Sequence, residues 1–305
     1  MNQWLRTLLV LGRVSNLPTV WSNCLAGWWL GSVRYEAVAH SGYDAANLVP
    51  DISHFWKLPL MLLSVSLLYT GGMFLNDAFD EEYDRLRRPE RPIPSGKITS
   101  TEVWLYGFGQ LAAGVLLLLF CGKLPCIIGI VLAFFIVIYD FTHKFFVESP
   151  WLMGACRFWV YIIAATTGAD GLNGFAVFGG AALAFYVVGL SYIARRESSR
   201  TAVPYWPLPM LAMPVILALT INYGSYRLPA IWLSILLGLW VVRYVHFIFL
   251  GSGTNVGWIV SNLLAGIVLV DWLAIAPQMP QLQGTLIFLP LFGMAKWFQK
   301  FVPAT

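Results

Sequence analysis

Charge is scarce in this chain. Asp, Glu, Lys and Arg together make up 11% of its 305 residues, against roughly 25% in an ordinary soluble domain. A water-solvated globule of this length needs a charged skin, so the scarcity excludes a cytosolic enzyme. It equally excludes a disordered chain, which combines high charge with low hydrophobicity. Cysteine is scarce as well. Cys24, Cys121, Cys126 and Cys156 lie in or beside apolar runs without metal-ligand spacing. That excludes a disulfide-built secreted scaffold and leaves four small buried side chains. A convincing signal peptide is missing, because Arg13 and Asn16 interrupt the apolar stretch that follows Arg6. A short interfacial helix over residues 2–12 is expected instead. Internal repeats, low-complexity tracts and a soluble second domain are also lacking, so residues 1–305 are expected to form one domain.

What is present is apolar. Hydrophobic residues reach 58% and the mean hydropathy is +0.70. Water cannot solvate that much apolar surface, so the solvent must be lipid. Fourteen Trp and 13 Tyr suit a chain that crosses the membrane–water interface many times, where amphipathic rings settle. A lipid-crossing helix takes roughly 20 apolar residues. Candidate spans fall near 17–34, 57–78, 101–121, 124–141, 151–169, 173–194, 206–223, 228–249, 257–276 and 284–300. The fold class is therefore an all-α, polytopic membrane bundle of nine or ten helices. The tenth segment carries Pro290 and ends in Lys296 and Lys300, so lying in the interface is its other reading.

The basic residues give the orientation. With a cytoplasmic N-terminus, Arg6, Arg13, Arg85, Arg87, Arg88, Arg91, Lys97, Lys144, Arg195, Arg196 and Arg200 all fall on the cytoplasmic side, 11 of 19 Lys and Arg. Only Arg34, Lys57, Lys123 and Arg227 occupy the opposite loops. On that opposite side, His54 with Asp51 reads as a metal pair or, more simply, as a solvated turn. The expected location is a membrane with the N-terminus and these basic loops cytoplasmic, with lipid as the surrounding partner and no nucleic-acid partner.

The acids are more concentrated still. Of 15 Asp and Glu, six fall between residues 77 and 90: Asp77, Asp80, Glu81, Glu82, Asp84 and Glu90. On a continuing helix, Asn76, Asp77, Asp80 and Asp84 share one face. Like charges at that spacing destabilise a bare helix, so something must offset them. Hard oxygen ligands suit Mg²⁺, which pairs one or two carboxylates with substrate phosphates. Arg85, Arg87, Arg88, Arg91 and Lys97 follow directly and suit phosphate oxygens. The combination reads as a metal–diphosphate site at a membrane edge. A solvated helix end balanced by local ion pairs is the competing reading, and the position of the acids partly inside an apolar span argues against it.

Asn76-Asp77-x-x-Asp80-x-x-x-Asp84 resembles the NDxxDxxxD motif of the UbiA superfamily of intramembrane prenyltransferases. Three further stretches resemble that family in the same order: Arg13-Val-Ser-Asn16-Leu-Pro18, Arg91-Pro-Ile-Pro-Ser-Gly96, and Tyr139-Asp-Phe-Thr-His-Lys144, whose lysine falls one position late. Together they cover about residues 10–200. The resemblance implies a nine-helix bundle around a central cavity, in which Mg²⁺ bridges the diphosphate of a prenyl donor. By the same resemblance, Asn76, Asp77, Asp80 and Asp84 would be metal or metal-water ligands, with Asp77 and Asp80 carrying the catalytic effect. Arg13, Arg91 and Lys144 would hold the diphosphate, and Asn16 and Tyr139 would sit by the acceptor or the first isoprene unit. A helix N-cap or an interhelical hydrogen bond for Asn16, and a plain interfacial ring for Tyr139, are the alternatives.

The family has a second Asp-rich motif after its sixth helix. Here that region reads Gly189-Leu-Ser-Tyr192-Ile-Ala-Arg195-Arg196-Glu197-Ser-Ser-Arg200, without a single aspartate. Either Arg195 and Arg196 grip the diphosphate in place of one metal ion, with Glu197 a lone ligand or an Arg partner and Tyr192 nearby, or ionisation is impaired, leaving a binding or altered-chemistry protein. A positive-inside loop without a site role is the third reading. The tracts around Arg195, Tyr139 and Met153–Arg157 also resemble the EboC-like branch of the superfamily, which would imply a bacterial plasma-membrane protein with an unsettled prenyl acceptor. Arg157, two turns into a span, faces the site or snorkels. Asp271 is expected to snorkel or pair with a neighbouring helix.

The expected reaction is Mg²⁺-dependent transfer of an isoprenyl group from an allylic diphosphate to an unidentified small acceptor. Phe74, Phe79, Tyr139, Phe158 and Tyr192 are the aromatic faces available to a cationic fragment. A diphosphate-binding or transport protein without transfer chemistry, and a transferase using a phosphorylated sugar, are the rival functions.

Overall fold

The apolar runs become helices of membrane length. In a computed structural model that describes residues 3–33, 50–195, 206–222, 227–250 and 255–303, the chain forms thirteen α-helices among the described residues, and no strand. They are α1 (Gln3–Leu11), α2 (Leu17–Leu30), α3 (Lys57–Phe79), α4 (Glu81–Arg87), α5 (Ser100–Cys121), α6 (Lys123–Thr142), α7 (Ser149–Thr167), α8 (Gly174–Ala194), α9 (Leu208–Ile221), α10 (Arg227–Leu250), α11 (Val256–Ala265), α12 (Ile267–Ile275) and α13 (Gln281–Phe298). Among the described residues, six segments are long and apolar enough to cross a membrane: α3, α5, α6, α8, most of α10, and the α11–α12 pair taken together. Helix α9 is apolar but shorter. The expected short N-terminal helix is α1.

Local chemistry marks where the helices begin. Thr99 and Glu102 form a reciprocal capping box at α5, which satisfies two backbone donors that the first turn leaves unpaired. Asn173 caps α8 by accepting from Ala176 N at 3.0 Å, and Asn255 caps α11 by accepting from Trp258 N at 3.1 Å. On the loop before α3, Asp51 accepts from Ser53 N at 2.8 Å. It therefore shapes a turn, as the solvated-loop reading expects.

Helix α2 is the spine. Nearly all its residues are buried, because it packs against α3, α7, α12 and α13. The α11–α12 segment is also interior, with 72% of its apolar window covered by protein, against 28% for α5 and α6. Lipid must therefore meet α5 and α6, whose outward Leu105, Leu116, Phe120, Ile127 and Phe134 are exposed.

At the end of α2 the helices touch backbone to backbone. A Cβ on Gly31 would stand 2.1 Å from the Ala165 carbonyl oxygen, and one on Gly168 would stand 2.3 Å from the Gly31 carbonyl. Asp170 N and Gly171 N both donate to that Gly31 oxygen. Small residues that allow such an approach are how helices associate when lipid removes the hydrophobic drive. Gly31→Ala is expected to destabilise the fold by at least about 1–3 kcal/mol, the ordinary cost of overpacking. Thermal unfolding in detergent, with Gly174→Ala (open space around its Cβ position) as the neutral comparison, checks this.

Candidate functional site

The other end of the bundle gathers the charge. Helix α3 does not run straight through the acidic face. It stops at Phe79, Asp80 adopts φ −86° and ψ −2°, and α4 starts at Glu81. The i→i+4 backbone bonds nevertheless persist, with Asp80 N donating to Asn76 O at 3.0 Å and Asp84 N to Asp80 O at 2.8 Å. The expected continuous helix is thus corrected to two helices joined at Asp80, and the four polar side chains still collect on one side.

Three basic segments close over them. Arg13 follows α1 and is the only described non-glycine residue with a positive φ, at 42°. That left-handed conformation costs on the order of 1–3 kcal/mol. It is held by Arg13 N donating to Val10 O and by Asn16 N and the Tyr69 hydroxyl donating to Arg13 O. The effect is to point Arg13 Nη2 at Asn76 Oδ1, 3.1 Å away, and at Asp77 Oδ1, 3.4 Å away. Arg91 comes from the loop after α4, which Ile93 and Ile98 anchor in a small core with Leu11, Phe74 and Val103. Its Nη1 donates to Asp77 Oδ1 at 3.1 Å and to Asp84 Oδ2 at 2.9 Å. From the end of α6, Lys144 Nζ reaches Asp80 Oδ1 at 2.7 Å and His143 Nε2 lies 3.3 Å from the same oxygen.

The environment separates two of these carboxyl groups. Burial pushes Asp80 up, but hydrogen bonds and charge from His143 and Lys144 outweigh it and hold the group below its ordinary value. For Asp84, burial wins over Arg91, with Asp80 and Asp77 adding to the upward push. Asp84 is thus a carboxylate short of positive charge.

Below this cluster lies a cavity of about 70 Å³ between α2, α3, α6 and α7. Its wall is mostly apolar, with Tyr69, Tyr139, Asp140 and Arg157 as the polar contributors. Tyr139 stacks on His143, ring centroids 5.3 Å apart. Asp140 is buried and accepts from Asn76 Nδ2 at 3.1 Å. Arg157 is buried in the cavity wall, where it does not snorkel. Asn16 is buried and hydrogen-bonded to Tyr69 of α3, and its side chain does not cap α2, so of its two alternatives the N-cap is set aside and the interhelical hydrogen bond is present.

Other expected residues lie elsewhere. Arg195 does not reach the carboxylates. Its guanidinium donates to the carbonyl oxygens of His143 at 2.8 Å, Phe146 at 2.7 Å, and Val147. Tyr192 packs edge-on against Trp206. Arg196, Glu197 and Arg200 lie outside the described residues. Of the five aromatic faces, only Tyr139 lines the cavity. Phe74 packs on Tyr106, Phe79 on Trp104, and Phe158 on Trp159. The cavity instead uses Tyr69. Asp140, His143 and Tyr69 were missed in the sequence. For Asp140 a signal existed, since a carboxyl inside an apolar run marks function by default.

Among the described residues no three His, Cys, Asp or Glu side chains converge into a self-sufficient metal cage. The oxygens Asp84 Oδ1 and Asp140 Oδ2 are, however, buried without a hydrogen-bond partner. Hard oxygens of that kind fit a cation such as Mg²⁺, which takes one or two carboxylates and completes its shell with phosphate and water. Asn76, Asp77, Asp80 and Asp84 are the residues that could hold it.

Fold and site together describe an intramembrane helical bundle with a carboxylate cluster clamped by arginines and lysine over an apolar cavity. The sequence matches the UbiA prenyltransferase family over residues 42–292, and the chain belongs to that family. It is 28% identical over 146 residues to digeranylgeranylglyceryl phosphate synthase of Sulfolobus acidocaldarius, covering 47% of this chain and 50% of that one. The synthase of the same name from Methanosarcina barkeri is 32% identical over 179 residues, 59% of this chain and 57% of that one. The chain thus spans about half the length of the curated relatives it matches. A solved structure concerned with digeranylgeranylglyceryl phosphate synthase in membranes shares the fold, with a TM-score of 0.53 at 20% identity over 99% of this chain and 96% of that one. So does a UbiA homolog from Archaeoglobus fulgidus bound to GPP and Mg²⁺, with a TM-score of 0.50 at 15% identity over 97% of both chains.

Arg195→Gln is expected to free the 143–147 loop that carries His143 and Lys144. Hydrogen exchange at those amides should accelerate several-fold while α3 and α7 stay protected. Unchanged exchange there would show that the three carbonyl contacts do not hold the loop.

Proposed function

We propose that the protein transfers an isoprenyl group from an allylic prenyl diphosphate to an acceptor bound in the intramembrane cavity, with Mg²⁺ as cofactor. The observation that carries this reading is Asp77, shared by Arg13 and Arg91 directly above an apolar cavity. The curated relatives are named as synthases of a prenylated glyceryl phosphate, and the Archaeoglobus fulgidus homolog binds GPP and Mg²⁺; both support the same chemistry here.

Asn76, Asp77, Asp80 and Asp84 would hold Mg²⁺, which neutralises charge on a departing diphosphate. Arg13, Arg91 and Lys144 are paired with carboxylates, and they would share their remaining donors with diphosphate oxygens. This electrostatic preorganisation is the main catalytic task. Tyr69 and Tyr139 face the cavity and offer π-density to a fragment that gains cationic character as the C–O bond breaks. The apolar walls keep water from intercepting that fragment. Arg195, with its contacts to the His143–Val147 carbonyls, acts as a positioning residue for Lys144.

The reading includes ten crossings. Ser15 Oγ donates to Pro303 O at 3.3 Å, which supports residues 15 and 303 on the same face of the membrane and hence an even number of spans between them. That face is cytoplasmic by its basic residues.

Asp77→Ala and Asp80→Ala should each lower Mg²⁺-dependent diphosphate release from geranyl, farnesyl or geranylgeranyl diphosphate by at least about 100-fold. The assay uses purified protein in nanodiscs with a membrane-depleted extract as acceptor source. Turnover undiminished in both variants would overturn the assignment. For topology, Lys300→Cys should be labelled by an impermeant maleimide from the same side as Arg87→Cys; labelling from opposite sides would return the count to nine.

A further inference from the structure

Arg157 differs from the other cations of the site. Arg13, Arg91 and Lys144 each meet a carboxylate. Arg157 is 8% exposed, and among the described residues no carboxylate lies within ion-pair distance of it. Its partners are neutral: Nη1 donates to Asn23 Oδ1 at 2.7 Å and Nη2 to Thr19 Oγ1 at 3.3 Å. A guanidinium carries five N–H donors, so most of its hydrogen-bonding capacity is uncommitted to protein, and the group lines the cavity.

Its mounting is rigid. Asn23 uses its oxygen on Arg157 and its amide nitrogen on Asp271 Oδ2, 2.6 Å away, and Ser22 Oγ donates to the same oxygen at 2.5 Å. Thr19, Ser22, Asn23 and Asp271 are all fully buried. Asp271 therefore supports the charge on Arg157 through Asn23, at one remove and without occupying its donors. The guanidinium also lies over the Tyr69 ring, 5.7 Å from its centroid, while the hydroxyl of that ring donates to Arg13 O at 3.4 Å. One tyrosine thus separates this cation from the diphosphate-facing cluster. The cavity's other carboxyl, Asp140, is bound to Asn76 at the cluster end.

We propose that Arg157, braced by Thr19, Asn23 and Asp271, recognises an acidic group, phosphate or carboxylate, on the prenyl acceptor. The proposal rests on the prenyl-transfer reading and adds the acceptor's chemical class. A guanidinium fork matches either oxyanion in two parallel hydrogen bonds. A neutral acceptor would leave the buried guanidinium's remaining donors unfilled, and that penalty gives selectivity. Arg157 touches acceptor; Asp271 and Asn23 are positioning residues.

The test is binding of matched probes to the full-length protein in nanodiscs, held with Mg²⁺ and the unreactive farnesyl thiolodiphosphate. The pairs are dodecylglyceryl phosphate against dodecylglycerol, and 4-hydroxybenzoate against 4-hydroxybenzamide. In the wild type the acidic member of at least one pair should bind tenfold or more tighter, and the pair that shows it separates a lipid phosphate from an aromatic carboxylate. In Arg157→Gln the preference should fall below twofold, with the neutral member and the thiolodiphosphate bound within twofold of wild type. Equal binding within both wild-type pairs overturns the proposal. So does a preference that survives R157Q, or an R157Q that loses the thiolodiphosphate instead, which would move Arg157 into the diphosphate site. Where R157Q fails to fold, Arg157→Lys, which keeps the charge and loses the fork, should cut the preference several-fold; full wild-type preference in R157K overturns the proposal. Absence of Mg²⁺-dependent thiolodiphosphate binding in the wild type fails the transfer reading itself, and is distinct from equal probe binding with the donor bound.

Discussion

Asp77 is the point on which the site depends. Its Oδ1 takes Arg13 from the segment before α2 and Arg91 from the loop after α4, so one carboxylate ties together stretches of chain that would otherwise be independent. The arrangement is needed because Asn76, Asp77, Asp80 and Asp84 crowd one side of a helix end, where like charges repel. Each acid is matched to a base on a different segment, Asp84 to Arg91 and Asp80 to Lys144. The same matching sets the mouth of the cavity and places cations around the space a diphosphate would enter. Removing one partner would leave a largely buried charge alone, which costs far more than the net value of the pair.

A second polar system lies deeper, on the spine helix. Thr19, Ser22 and Asn23 project from α2 toward α7 and α12 and connect Arg157 to Asp271. Polar groups at this depth must be satisfied inside the protein, because lipid offers no hydrogen bonds. This network does so for Thr19, Ser22, Asn23 and Asp271 Oδ2 while leaving Arg157 turned to the cavity. The two systems meet at Tyr69, which touches Arg13 through its hydroxyl and Arg157 through its ring.

Arg195 binds carbonyl oxygens at the loop following α6. A cation at this place supports the residues that hold Asp80 instead of adding a ligand to the acidic cluster. One arginine fork across three carbonyls fixes a turn that would otherwise depend on solvent.

Much of the fold was legible in the sequence, because lipid imposes a simple rule: roughly 20 apolar residues make a crossing helix. The run that becomes α3 was placed almost to the residue, and the weak final segment proved to be helix α13 despite Pro290. The acidic face was legible for the same kind of reason, since charge inside an apolar run stands out. Asp271 was visible as well, but its partners Ser22 and Asn23 lie some 250 positions away, and no periodicity connects them. The role of Arg195 could not be read, because its partners are backbone carbonyls, which every residue carries. Nor could the break at Asp80, where the side-chain partners His143 and Lys144 come from the end of a different helix. Sequence alone determined that this is a lipid-embedded helical bundle with a charged edge, because solvent transfer depends on composition and period. Only tertiary structure decided which base meets which acid and which cation faces the cavity, because those pairings depend on distance in space.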